Sequence, residues 1–72
     1  MKLIEKWSND ENAGSLYWVV YELYQRDNGS YFVDCEGGPG TMFNKKQRFD
    51  LTPEEVEEFK NNHSVKTILE QR

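Results

Sequence analysis

The 72-residue chain predicts an α+β domain: a three- to four-stranded antiparallel sheet with one main helix, residues 53–62, on one face. Three observations carry that prediction. "LYWVVYELY", residues 16–24, is a long apolar run rich in β-branched and aromatic residues, the composition of a strand. "RDNGS" followed by "YFVDCE" reads as a turn and a returning strand. "DLTPEEVEEF" holds a complete set of helix-start signals.

The elements follow in order. "KLIEKW", 2–7, mixes apolar and charged positions like a short strand, and "SNDENAGS", 8–15, is a polar loop. In the hairpin, a two-residue Asn28-Gly29 turn would pair Leu23 with Asp34. A three-residue loop with Gly29 in the left-handed bulge position pairs Leu23 with Val33 and Tyr21 with Cys35. A one-residue slip exchanges the faces, so burial selects the second register. "EGGPGT", 36–41, reads as a flexible, exposed connection, and "TMFNKKQRF", 41–49, as a third hairpin strand with Phe43 and Phe49 on one face. Lys45, Lys46 and Arg48 are charges of the kind that protect an edge strand.

Thr52 is the expected N-cap, Pro53 the first helical residue, and Glu55 the partner in a capping box. Leu51 and Val56 stand at the positions of a hydrophobic staple. Glu54, Glu55, Glu57 and Glu58 suit the positive end of the helix dipole, and "KNNHS" ends the helix. The tail "VKTILEQR" fits a last strand over 64–72 through Val65, Thr67 and Leu69, the reading favoured here. Val65, Ile68 and Leu69 also fit a helix stripe. The expected core is Tyr17, Val19, Tyr21, Leu23, Val33, Cys35, Val56 and Phe59.

Composition narrows the function. The chain reads as a single domain, 1–72, near the lower size limit for folding without a metal or disulfide. A net charge of −4 argues against a nucleic-acid or membrane-surface protein and suits a basic partner. The single cysteine and the short, charged start "MKLIEKW" suggest a cytoplasmic protein without a signal peptide or membrane span. Cys35 with His63 is a poor catalytic pair, because Asp34 and Glu36 flank the thiol and oppose thiolate formation. The helix carboxylates are explained by capping and the dipole. "GGPG" lacks the strand-loop-helix context of a phosphate loop. No cofactor or metal is expected, and the protein reads as a non-enzyme.

The strongest functional candidate is the second face of the hairpin. Trp18, Glu22 and Tyr24 lie there beside Phe32, Asp34 and Glu36, with Tyr24 opposite Phe32 and Glu22 opposite Asp34. Facing like charges point to an exposed surface whose partner supplies Arg or Lys, and aromatic residues rimmed by charge compose a binding hot spot. The leading expectation is an inhibitor that occupies a larger, basic or nucleic-acid-handling protein. The alternatives are a small nucleic-acid-binding module using sheet aromatics with Lys45, Lys46 and Arg48, or a homodimerising subunit.

The order of signals resembles one type I-F anti-CRISPR family of small phage-encoded inhibitors. The stretches that carry it are "MKLI", "NGS" at 28–30, and "RFD" at 48–50 leading into "LTPEEVEEF". The loop before Leu16 is longer here, and the family continues as helix past Phe59, where this chain breaks. The resemblance implies an antiparallel sheet with helix, an inhibitory role and action in the host cytoplasm. It transfers no individual site residue.

Overall fold

Four strands precede two helices in the computed structural model, which describes residues 1–9 and 16–72. The strands are β1 (Lys2–Ser8), β2 (Val19–Gln25), β3 (Tyr31–Gly37) and β4 (Gln47–Leu51), and the helices α1 (Pro53–Asn62) and α2 (Val65–Glu70). The strands form one antiparallel sheet in the order β1-β2-β3-β4. The architecture is the expected α+β, with four strands.

The β2–β3 hairpin takes the three-residue loop. Arg26 N–H donates to the Ser30 carbonyl at 2.8 Å, and Gly29 N–H to the Arg26 carbonyl at 2.9 Å. Gly29 has φ +90°, a conformation that costs side-chain-bearing residues energy. The Asn28 side-chain oxygen accepts from Ser30 N–H at 3.0 Å, which stiffens the turn. The resulting register pairs Tyr21 with Cys35 and Leu23 with Val33. β1 follows β2 with a bulge between Leu3 and Glu5, a device that blunts a sheet edge. The loop expected over 8–15 lies, from 10 to 15, outside the described residues.

α1 starts as its sequence dictates. Thr52 N–H donates to Glu55 Oε1 at 2.9 Å and Glu55 N–H to Thr52 Oγ1 at 3.2 Å, closing the capping box behind Pro53. Leu51 and Val56 are both buried. The helix ends at His63, whose left-handed φ of 50° is uncommon for a residue other than glycine. Its ring is held by Glu5 Oε2, 2.7 Å from Nε2, and stacks on Trp7 at 5.3 Å. The C-cap therefore ties the helix end to β1.

Three expectations require correction. The tail is not a strand: α2 occupies 65–70, capped by Ser64, whose Oγ accepts from Thr67 N–H at 3.3 Å. Val65 and Ile68 are sealed in the core, so the three-residue spacing of a helix prevailed over alternation. β4 begins at Gln47 rather than at Thr41, and residues 41–45 form turns and bends. Phe43 and Phe49 still meet, edge-on at 6.3 Å, but Phe43 arrives from a loop. Finally, Tyr17 lies outside the core at 62% exposure. β2 starts two residues later, and Phe43 fills the end of the core beside Tyr21, 5.6 Å between ring centres. Val19 is half-buried against the core.

The "GGPG" connection is also less exposed than expected, since Gly37 and Gly38 are buried. Gly38 N–H donates to the Trp18 carbonyl at 2.9 Å and Gly40 N–H to the Leu16 carbonyl at 2.7 Å. A Cβ on Gly40 would come within 2.6 Å of the Tyr17 ring, so the close approach of these segments requires glycine. The core holds Tyr21, Leu23, Val33, Cys35, Val56, Phe59, Val65 and Ile68 together. Both helices thus cover the same face of the sheet.

Candidate functional site

The opposite face carries no helix among the described residues. Antiparallel pairing assembles it in rows: Leu3, Tyr24, Phe32 and Asp50 in one, Lys6, Glu22, Asp34 and Arg48 in the next, Ser8, Val20 and Glu36 in a third. Tyr24 opposite Phe32 and Glu22 opposite Asp34 are as the three-residue turn requires.

Tyr24, Phe32 and Asp50 of the first row, Glu22, Asp34 and Arg48 of the second, and Arg26 form one network. The Tyr24 and Phe32 rings stack at 5.1 Å and 17°. The Arg48 guanidinium lies 4.1 Å from the Phe32 ring centre and that of Arg26 at 4.6 Å, both within cation–π range. Arg48 grips Asp34 with two bonds, Nε to Oδ1 at 2.8 Å and Nη2 to Oδ2 at 3.2 Å. Arg26 Nη2 donates to Asp50 Oδ1 at 2.7 Å, and the Tyr24 hydroxyl to Glu22 Oε2 at 3.3 Å. The Asp34 carboxylate holds the Arg48 pKa above its ordinary value. Burial, then the charge of Glu22 and the hydrogen bond to it, raise that of the Tyr24 phenol.

This geometry revises the expected exposed surface. Phe32 is 1% exposed and Asp34 7%, although among the described residues no helix lies on this face. The cation that facing acids demand comes from the chain itself, as Arg48 in register with Asp34. The signal was present in the spacing of β4, but reading 41–49 as one strand hid which residue would face Asp34. Arg26, too, was read only as part of a turn.

The other predicted residues gather at the far end. Trp18, one residue before β2, and Val20 are half-buried, and Glu36 is exposed. Glu22 bridges the two ends. Among the described residues, no ion pair or hydrogen bond engages the Glu36 side chain. Among the described residues, Glu36 is the exposed member of this end.

The catalytic alternatives find no assembly. Cys35 is buried, with its thiol pushed up to about 12 by burial and then by Asp34; it is a core residue in the protonated form. His63 is occupied by Glu5 and Trp7. Glu55 serves the cap and Arg72, 2.8 Å from its Oε2, while Glu58 accepts from Asn62 at 2.9 Å. Among the described residues no group of three or more His, Cys, Asp or Glu side chains could hold a metal. No described helix is long and apolar enough to cross a membrane.

No protein-family model matches the chain, and neither a curated protein nor a solved structure matches it. Its function must therefore be argued from its own surface.

Proposed function

We propose that this chain is a non-enzymatic binding protein that inhibits a larger nucleic-acid-handling protein, as the resemblance to type I-F anti-CRISPR inhibitors implies. The observation that carries the reading is the far end of this face, where Val20 stands opposite Glu36 with Glu22 in the next row, Trp18 immediately precedes the strand, and Glu36 is exposed. Trp18 is the aromatic anchor and the carboxylates stand in for phosphates against a basic surface. The net charge of −4 favours encounter with such a surface. Tyr24, Phe32 and Asp34 act beneath this contact, by holding Glu22 and the strands in place.

The alternative nucleic-acid module loses a central element, because Arg48 is committed to Asp34 and Phe32. Lys45 and Lys46 alone would neutralise few phosphates.

The test uses cells with an active type I-F interference system challenged by a targeted phage. Expression of the chain should restore plating, and Trp18→Ala or Glu36→Lys should abolish that restoration while thermal unfolding of the purified variants stays near that of the parent. Failure of the unmodified chain to restore plating overturns the reading, as does full activity of both variants.

A further inference from the structure

A cavity of about 260 Å³ lies at the other side of β2, lined by Val19, Tyr21, Thr41, Met42, Phe43 and Lys66, with Gly40 at its edge. Three parts of the fold build it: β2, the loop after β3, and α2. It falls just below the roughly 300–1,000 Å³ of drug-sized sites, so its occupant would be small. Val19, Met42 and Phe43 supply apolar wall.

The polar groups left over there are donors. The Tyr21 ring is 5% exposed and clamped by Trp7, Phe43 and Phe59, with ring centres at 5.6, 5.6 and 6.0 Å. Its hydroxyl has no hydrogen-bond partner among the described residues, yet no fully sealed side-chain polar atom there lacks one. The hydroxyl is therefore the part of the ring still open to solvent. Burial, then the Cys35 charge, pushes its pKa up to about 12, so it carries a proton at any physiological pH. Lys66 is exposed, and no ion pair among the described residues engages it. Thr41 is already satisfied: its Oγ1 donates to the Gly38 carbonyl at 2.8 Å and accepts from Phe43 N–H at 3.2 Å.

We propose that this cavity binds a small organic carboxylate with an apolar body, its oxygens taking the Tyr21 hydroxyl and the Lys66 ammonium. A rigid phenol donor, a free cation and an apolar wall complement an acceptor with one negative charge and a hydrocarbon flank. A phosphate would find too few donors, and a neutral apolar molecule would gain nothing from the Lys66 charge. The site lies on the helix-covered side of the sheet and stands independently of the inhibitor reading.

Phenylacetate and hexanoate, titrated into the labelled protein at pH 7 and followed by NMR, should shift the resonances of Tyr21, Met42, Phe43 and Lys66. Phenylacetamide, with the same body and no charge, should bind about tenfold more weakly. Lys66→Met should bring the acid down to the level of the amide without changing thermal unfolding, since Lys66 is exposed. Tyr21→Phe keeps the ring and should weaken both acids. Equal binding of acid and amide, shifts centred elsewhere, or no shifts with either acid would overturn the proposal.

Discussion

Phe59 and Phe32 are sealed almost equally, at 0% and 1% exposure, but on opposite faces of one sheet and by different means. Phe59 lies beneath backbone, in a cluster where both helices and three aromatic rings converge. Phe32, among the described residues, lies beneath side chains: a tyrosine ring and two guanidinium groups, each guanidinium tied to its own carboxylate. The first arrangement resembles any small core. The second lets a thin domain bury a large aromatic without a third layer. It also holds Phe32 with groups that can move, since the Arg48 side chain is 55% exposed.

The largest expected effect lies on the covered face. Phe59→Ala should cost about 3–5 kcal/mol, on the order of half the roughly 4–11 kcal/mol available to a domain of this size. Phe32→Ala should cost about 2–3 kcal/mol, because its cover can collapse into the space. Urea unfolding midpoints of the two variants compare them directly. Equal losses would show that the side-chain cover is as rigid as the helices.

Arg48→Met should lower the midpoint more than Arg26→Met. It leaves the largely buried Asp34 carboxylate without its partner, whereas Asp50, the partner of Arg26, is 77% exposed. The reverse order would break the account of the open face as a network centred on Asp34. A smaller effect, about 1 kcal/mol, is expected for Thr52→Ala. Glu55→Gln in the same box should keep the capping geometry and lose the charge.

That last variant has a signed pH dependence. The Arg72 hydrogen bond, with the Thr52 backbone bond behind it, holds the Glu55 pKa below its ordinary value. A carboxylate so lowered contributes stability above the unfolded value of about 4.3 and loses it as pH falls through the folded one. Glu55→Gln should therefore lower Tm at pH 7, and the gap should close on acidification through that window. A gap that persists in acid would place the loss in the cap rather than the charge.

The legible parts of the fold were those specified within a few residues. The turn at 27–29 set the pairing of β2 with β3 because only one register buries Leu23, Val33 and Cys35 together. The helix start at Thr52 was legible because a cap and its partner lie three residues apart. Tyr17 lies outside the core: apolar composition does not state where a core ends, and Phe43 packs beside Tyr21 instead. The tail fits both periods over six residues, and the Ser64 cap with burial of Val65 and Ile68 in the core goes with the helix.

The candidate surface was half legible. Its rows follow from the hairpin register, with Val20 opposite Glu36 at one end and Glu22 opposite Asp34 beside it. Its closed end depended on β4: once Gln47–Leu51 pairs with β3, Arg48 stands beside Asp34 and acid against acid becomes acid against base.

By itself, then, the sequence determined the hairpin, the helix start and which side chains of β2 share a face, because turn and cap chemistry act over a few bonds. Tertiary structure alone decided that Phe32 and Asp34 are covered, that the tail is helical, and that Tyr21 and Lys66 line one cavity. The pairing of Asp34 with Arg48 spans 14 residues and the cavity shared by Tyr21 and Lys66 spans 45, and at that separation only the packed chain states which side chains meet.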